Sequence, residues 1–98
     1  MILYTYTAYV CKAVFAFHDY VAIDALQAAA DRGLRAPEDI AIAGFDGMSS
    51  TLATSPKLTT VEQPIQEIGK RAAEMLISHT PTQIILPTQL LIRESTVG

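Results

Sequence analysis

Tryptophan is absent from this 98-residue chain, cysteine occurs once, and aromatic residues make up only 7%. A lone Cys11 forms no internal disulfide, and with only His18 and His79 beside it no Cys/His metal-ligand spacing exists. No metal site is expected, and a reducing compartment, the cytoplasm, is the natural setting. Charge is also scarce. Only 17% of residues are charged, and seven Lys plus Arg against ten Asp plus Glu leave a net charge of −3. That balance opposes a surface for duplex DNA, because phosphate contacts need clustered cations. Five Gly and five Pro in a chain that is 50% hydrophobic exclude disordered and collagen-like classes. The early apolar run, residues 13–17, is short, and no basic residue precedes Lys12. This fits neither a membrane span nor a secretory signal.

What is present reads as one globular domain, or part of a larger one. Residues 1–12 are rich in Tyr and Thr and favour an extended strand, and the run at 13–17 reads as a strand buried on both faces of a parallel sheet. Asp19 then precedes an Ala-rich stretch, 20–32, with apolar residues at 22, 25, 26, 29 and 30 and Gly33 where a left-handed terminus belongs. This predicts a helix capped by Asp19. Residues 40–45 form a second buried strand ending at Asp46-Gly47, after a Pro-containing loop at 34–39. Strand, helix, strand in that order implies a right-handed crossover and a parallel sheet flanked by helices. The polar segment 48–56 reads as a loop with one short helical turn, and 58–61 as a short strand. From Pro64 to about Ser78, Ile65, Ile68, Ala72, Leu76 and Ile77 recur at helical spacing opposite Glu67, Lys70, Arg71 and Glu74. Residues 83–86 and 89–93 read as a C-terminal strand pair around Pro87-Thr88.

In an open parallel sheet, ligands gather at the carboxyl ends of strands. Two such ends are visible, one carrying His18 and Asp19 and the other Asp46. A carboxylate there can accept hydroxyl hydrogen bonds from a polyol or fix a base or amine, which suits a neutral polar ligand. Asp46 could equally close an Asp-Gly turn on local amides. Asp19 is expected to cap the helix, and His18 either donates to a ligand or completes the strand end. Ser49 or Ser50 with His18 and Asp46 supplies triad residue types, but no nucleophile elbow presents a serine. Gly44-Phe-Asp-Gly47 is too short for a dinucleotide fingerprint, and no phosphate loop occurs, so neither an enzyme nor a cofactor is indicated.

Pro37-Glu-Asp-Ile-Ala-Ile-Ala-Gly-Phe-Asp46, Leu58-Thr-Thr-Val-Glu-Gln-Pro64, Gly69, Ala72-Ala73 and Arg93-Glu-Ser95, in that order, closely resemble the LacI/GalR family of bacterial transcriptional repressors. The resemblance covers about residues 13–96. It implies part of a type I periplasmic-binding-protein-like, Rossmann-like α/β fold: two lobes joined by crossing segments and closing on a small effector. Residues 13–57 and 83–98 would belong to the C-terminal lobe, 58–79 to an N-terminal-lobe segment, and 1–12 would be atypical. Asp46 then corresponds to an effector-contacting aspartate, and His18 stands where relatives often carry a ligand-binding Asn. Tyr20, Ile23, Gln27, Met48, Thr51 and Leu52 fall in parts that pair two lobes, implying a homodimer. DNA would be reached only through a headpiece that these residues do not include. The reading is thus the sensing and dimerising part of a sugar- or nucleoside-responsive regulator, with no membrane partner. Alternatives are a fragment of a periplasmic-type sugar-binding protein, or a nonfunctional remnant. The apolar face at 65–77 would lack its usual host, and is expected to pack on its own lobe or be covered by another chain.

Overall fold

The computed structural model describes residues 12–80 and 82–97. The strand expected within residues 1–12 therefore lies outside the described residues, Lys12 apart. The elements in chain order are β1 (Ala13–Phe15), α1 (Asp19–Asp31), β2 (Ala41–Asp46), a 3-10 turn (Ser49–Ala53), β3 (Thr59–Glu62), α2 (Ile65–Ser78) and β4 (Gln89–Leu91). They build one four-stranded sheet in the order β1-β2-β3-β4, with β1–β2 and β2–β3 parallel and β3–β4 antiparallel. The expected α/β architecture with a parallel centre is present. The expected C-terminal strand pair is not. Residues 82–88 take no regular structure, where Pro87 has no N–H to give to a ladder, and β4 lies against the free edge of β3.

Helix α1 forms where its pattern predicts, and Gly33, at φ 73°, ends it by turning the chain left-handed as Leu34 N–H donates to Ala29 O. Its start differs. His18 is the N-cap, its Nδ1 accepting the Tyr20 amide at 3.1 Å, and Asp19 is already the first helical residue. The packed side of α1 buries Ala22, Leu26 and Ala29 against Ile42, Leu58 and Ala16, with Val14, Ile23 and Ile40 around them. Small alanines let the helix lie close to the sheet. At Gly44 an added Cβ would stand 3.1 Å from Ala22 Cβ and 3.2 Å from Asp19 Cα, so only glycine permits this approach.

Only one face of the sheet is covered in this way. Phe15 turns away from α1 and is 68% exposed, so the strand read as buried on both faces is buried on one. Likewise Leu58, Thr59 and Thr60 are buried within the sheet beside β2. The lobe boundary placed at 58 therefore falls inside one continuous sheet, and the chain leaves it only after Glu62. Helix α2 has the predicted limits, but none of its residues is buried, and Ile65, Leu76 and Ile77 stand exposed. Its apolar face is therefore not buried by its own lobe, although Ile84 and Leu86 share a groove with Ile68, Ala72 and Met75.

The last residues clamp the sheet's opposite end. Ser95, fully buried, donates through Oγ to Ile42 O, accepts the Thr59 amide at 2.8 Å and offers its own carbonyl to Ile42 N–H at 3.1 Å. Arg93 reaches Thr51 Oγ1 at 2.7 Å and Leu58 O at 3.0 Å. A single hydroxyl thus joins the starts of β2 and β3. Replacing Ser95 by Ala should destabilise the fold by about 2 kcal/mol, because it orphans a buried amide and weakens a buried carbonyl's pairing. Urea denaturation measures this, and a change below about 0.5 kcal/mol, the scale of ordinary surface substitutions, would refute the clamp.

Candidate ligand-binding site

Because β2 and β3 are parallel and in register, with Asp46 opposite Glu62, their carboxyl ends finish side by side. The chain leaving β1 enters α1 at the same end, so His18 and Asp19 arrive there too. Asp19 is fully buried. Its Oδ1 accepts from Thr60 Oγ1 at 2.6 Å and its Oδ2 accepts the Met48 amide at 2.7 Å. The carboxylate also stands in the first turn of α1, where the helix dipole favours negative charge. Asp19 was expected as the cap. Because the extended residue before the helix is His18, that role passes to the imidazole, and Asp19 becomes the strut joining α1, β3 and the loop after β2.

That strut removes one of the two roles open to Asp46. Both amides of the Asp-Gly turn are satisfied elsewhere: Gly47 N–H donates to Thr60 Oγ1 at 3.2 Å and Met48 N–H to Asp19. The Asp46 carboxylate instead receives His18 Nε2–H on Oδ2 at 2.9 Å and the Gln63 side-chain amide on Oδ1. With Nδ1 accepting from the Tyr20 amide, the ring's hydrogen sits on Nε2. Asp46 itself holds φ 119°, a backbone conformation that L residues rarely adopt and that concentrates at functional sites. Gly47 follows at φ 76°, and its close approach to Glu62 leaves no room for a Cβ, which would stand 2.7 Å from Glu62 Cα.

In front of this carboxylate lies an open cleft of about 540 Å³, lined by Asp46, Gly47, Glu62, Gln63, Pro64 and the first turn of α2. Glu67 in that turn accepts from Arg71 at 2.7 Å, and this hydrogen bond is the main cause that holds its carboxyl below the usual range. His18 is not among the residues lining the cleft, and it holds Asp46 from the start of α1. The structure therefore brings His18 and Asp46 together, and adds Gln63, which the sequence reading named only within a motif. The missed signal was register: in adjacent parallel strands that end together, the residue after one strand meets the last residue of the other.

The residues expected at a dimer contact divide. Tyr20, Gln27 and Leu52 are exposed, while Ile23 and Met48 are half-buried. Thr51 is fully buried, donating to Met48 O at 2.6 Å and accepting from Arg93, so it offers no surface to a partner and supports the 3-10 turn from within. Among the described residues no group of His, Cys, Asp and Glu is arranged to hold a metal ion, and no helix is long and apolar enough to cross a membrane.

A sheet with a parallel centre, one covering helix and a second helix that leaves it at a strand's carboxyl end is the architecture of part of a periplasmic-binding-protein-like α/β fold. The sequence profile of the periplasmic binding protein-like domain matches residues 5–96, so the match begins upstream of the boundary drawn after residue 12. The chain belongs to this family, in the form carried by LacI-family transcriptional regulators. It is 41% identical over 88 residues to the HTH-type transcriptional regulator MalR of Clostridium butyricum, a match covering 85% of this chain and 26% of that protein. The chain spans about a quarter of the length of the curated relatives it matches. Among solved structures, a LacI family regulator CCPA from Weissella paramesenteroides with bound sucrose superposes with a TM-score of 0.79 at 39% identity, over 86% of this chain and 32% of that one. The lac repressor dimer bound to operator and an anti-inducer superposes with a TM-score of 0.85 at 26% identity, over 91% and 28%. These relatives are named as regulators and repressors, not as enzymes.

Replacing Asp19 by Ala should destabilise the fold by about 3 kcal/mol, since it strands the Thr60 hydroxyl and the Met48 amide and opens a void beneath Gly44. Asp19→Asn, which keeps the volume, should be milder. Equal stability of Asp19→Ala and the parent in chemical denaturation would remove Asp19 as the strut.

Proposed function

We propose that this chain is the effector-binding and dimerising part of a cytoplasmic LacI-type regulator that responds to a small sugar or nucleoside. The observation that carries this is the Asp46 carboxylate, held by His18 and Gln63 on a strained strand end at the mouth of a cleft. A carboxylate fixed by two protein donors keeps further lone pairs for ligand hydroxyls. The neighbour with bound sucrose supports a sugar-sized effector. In the parent mechanism, effector binding changes how the lobes sit, and dimer geometry sets whether DNA-binding headpieces reach paired half-sites. The net charge of −3 fits a portion that leaves DNA contact to such a headpiece.

Pairing of two copies would use α1 and the 3-10 turn, where Tyr20 is 57% and Leu52 53% exposed, with Ile23, Gln27 and Met48 around them. The lac repressor neighbour is a dimer, which supports pairing of two copies.

A thermal-shift screen with sugars and nucleosides should find a ligand that raises the melting temperature by mass action, and Asp46→Ala should abolish that shift. Equal shifts in parent and variant would remove Asp46 from the site. Leu52→Glu should lower the oligomeric state seen by sedimentation without unfolding the chain, because a buried unpaired charge opposes an apolar interface. An unchanged sedimentation coefficient would place the contact elsewhere.

A further inference from the structure

Two apolar surfaces of this chain stand uncovered. One is the sheet face opposite α1. Side chains alternate across a strand, and Ile42, Gly44 and Thr60 face α1. Ala43, Phe45 and Val61 therefore face the other way, and register adds Phe15 from β1 and Leu90 from β4. Phe15 and Leu90 are exposed and the other three only half-buried, whereas sheets with parallel strands are ordinarily covered on both faces. The other surface is the stripe of Ile65, Ile68, Ala72 and Leu76 on α2, flanked at Ile68 and Ala72 by Ile84 and Leu86 and nowhere buried. The exit from β3 holds this helix in place. Gln63 is tied to Asp46 twice, through its backbone N–H at 3.3 Å and through its side-chain amide, and the ring of Pro64 fixes φ at the next residue.

The two surfaces match in kind and in size. A helix is what covers a sheet. The stripe from Ile65 to Leu76 is about 17 Å long at the rise of an α-helix. Four strands at their usual spacing make a face about 14 Å across. The uncovered area also has the size of a stable interface. A compact chain of 10.6 kDa exposes about 5,500 Å², and this one exposes 7487 Å², an excess of about 2,000 Å². Its Cα radius of gyration is 17.2 Å, against about 13 Å for a compact chain of this length. Two copies that covered each other's faces would together bury about 4,000 Å², within the range of obligate homodimers.

We propose that a second copy of this chain covers both surfaces: two protomers exchange α2 about a two-fold axis, each laying Ile65, Ile68, Ala72 and Leu76 across Phe15, Phe45, Val61 and Leu90 of the other. A reciprocal exchange closes on itself, whereas one-way docking leaves a free helix and a free face at the ends of a growing filament. The contact lies on the sheet face opposite α1, so it depends on neither the effector site nor the α1 pairing. With both contacts made, the assembly is a tetramer.

Sedimentation equilibrium of the full chain carrying Leu52→Glu, which removes the α1 contact, should give a dimer of twice 10.6 kDa. Added to that chain, Leu76→Glu or Phe15→Glu, at positions exposed within one protomer, should keep the helical signal in circular dichroism. Each should weaken the dimer at least about thirtyfold, the scale of a lost interface anchor. A monomer with Leu52→Glu alone overturns the exchange and leaves the α1 pairing standing, and a dimer that both added variants leave intact overturns it too. Cysteine cross-linking on a Cys11→Ser background identifies the occupant. Chains carrying Ala43→Cys, mixed with chains carrying Ala72→Cys and oxidised, should give a disulfide-linked pair of unlike chains. A disulfide that forms only when both cysteines sit in one chain would place α2 on its own sheet, and no disulfide in either arrangement would give the faces to a different partner. Either result overturns the exchange.

Discussion

The buried carboxylate of Asp19 is the interaction on which the rest of the architecture turns. It stands at the first position of α1, beneath Gly44, and binds the hydroxyl of Thr60 on β3 and the amide of Met48 after β2. A carboxylate taken fully out of water is tolerated only when its lone pairs are filled and positive potential lies near it. Here both conditions are met by three different segments, so helix, sheet and loop are located against one another by one side chain. Gly44 is the corollary, since any side chain there would displace the carboxylate.

From this follows the availability of Asp46. An aspartate before glycine ordinarily folds back on the turn amides, and that alternative is removed because Asp19 and Thr60 already hold them. Asp46 is left to turn toward the cleft, against the backbone preference that its φ of 119° records, and is braced from one side by His18 and from the other by Gln63. The cleft-lining carboxylate is thus rigid because its neighbours are. At the far end of the same strands Ser95 plays the matching part, closing the sheet through one buried hydroxyl.

The exposed surfaces follow from the same frame. With α1 on one face of the sheet, Phe15 on the other face stays in solvent, and α2 leaves the sheet at Pro64 with its apolar stripe uncovered. Amphipathic patterning states that a face is made to be buried, and says nothing of which surface buries it. The helix at 65–78 was legible for that reason, and its packing was not.

Local chemistry determined the elements: the 3.6-residue spacing of Ala22, Leu26 and Ala29, the left-handed Gly33 and the apolar run before Asp46 each act within a few residues, and their outcome can be read in order along the chain. The motif set also carried the family. Tertiary structure alone decided the division of labour among polar groups. That His18 caps while Asp19 braces, that Gln63 meets Asp46, and that Ser95 clamps Ile42 from 53 residues away all depend on strand register and on which buried donors remain to be satisfied. Those are properties of packed neighbours, and a buried polar group takes its role from the partners that reach it.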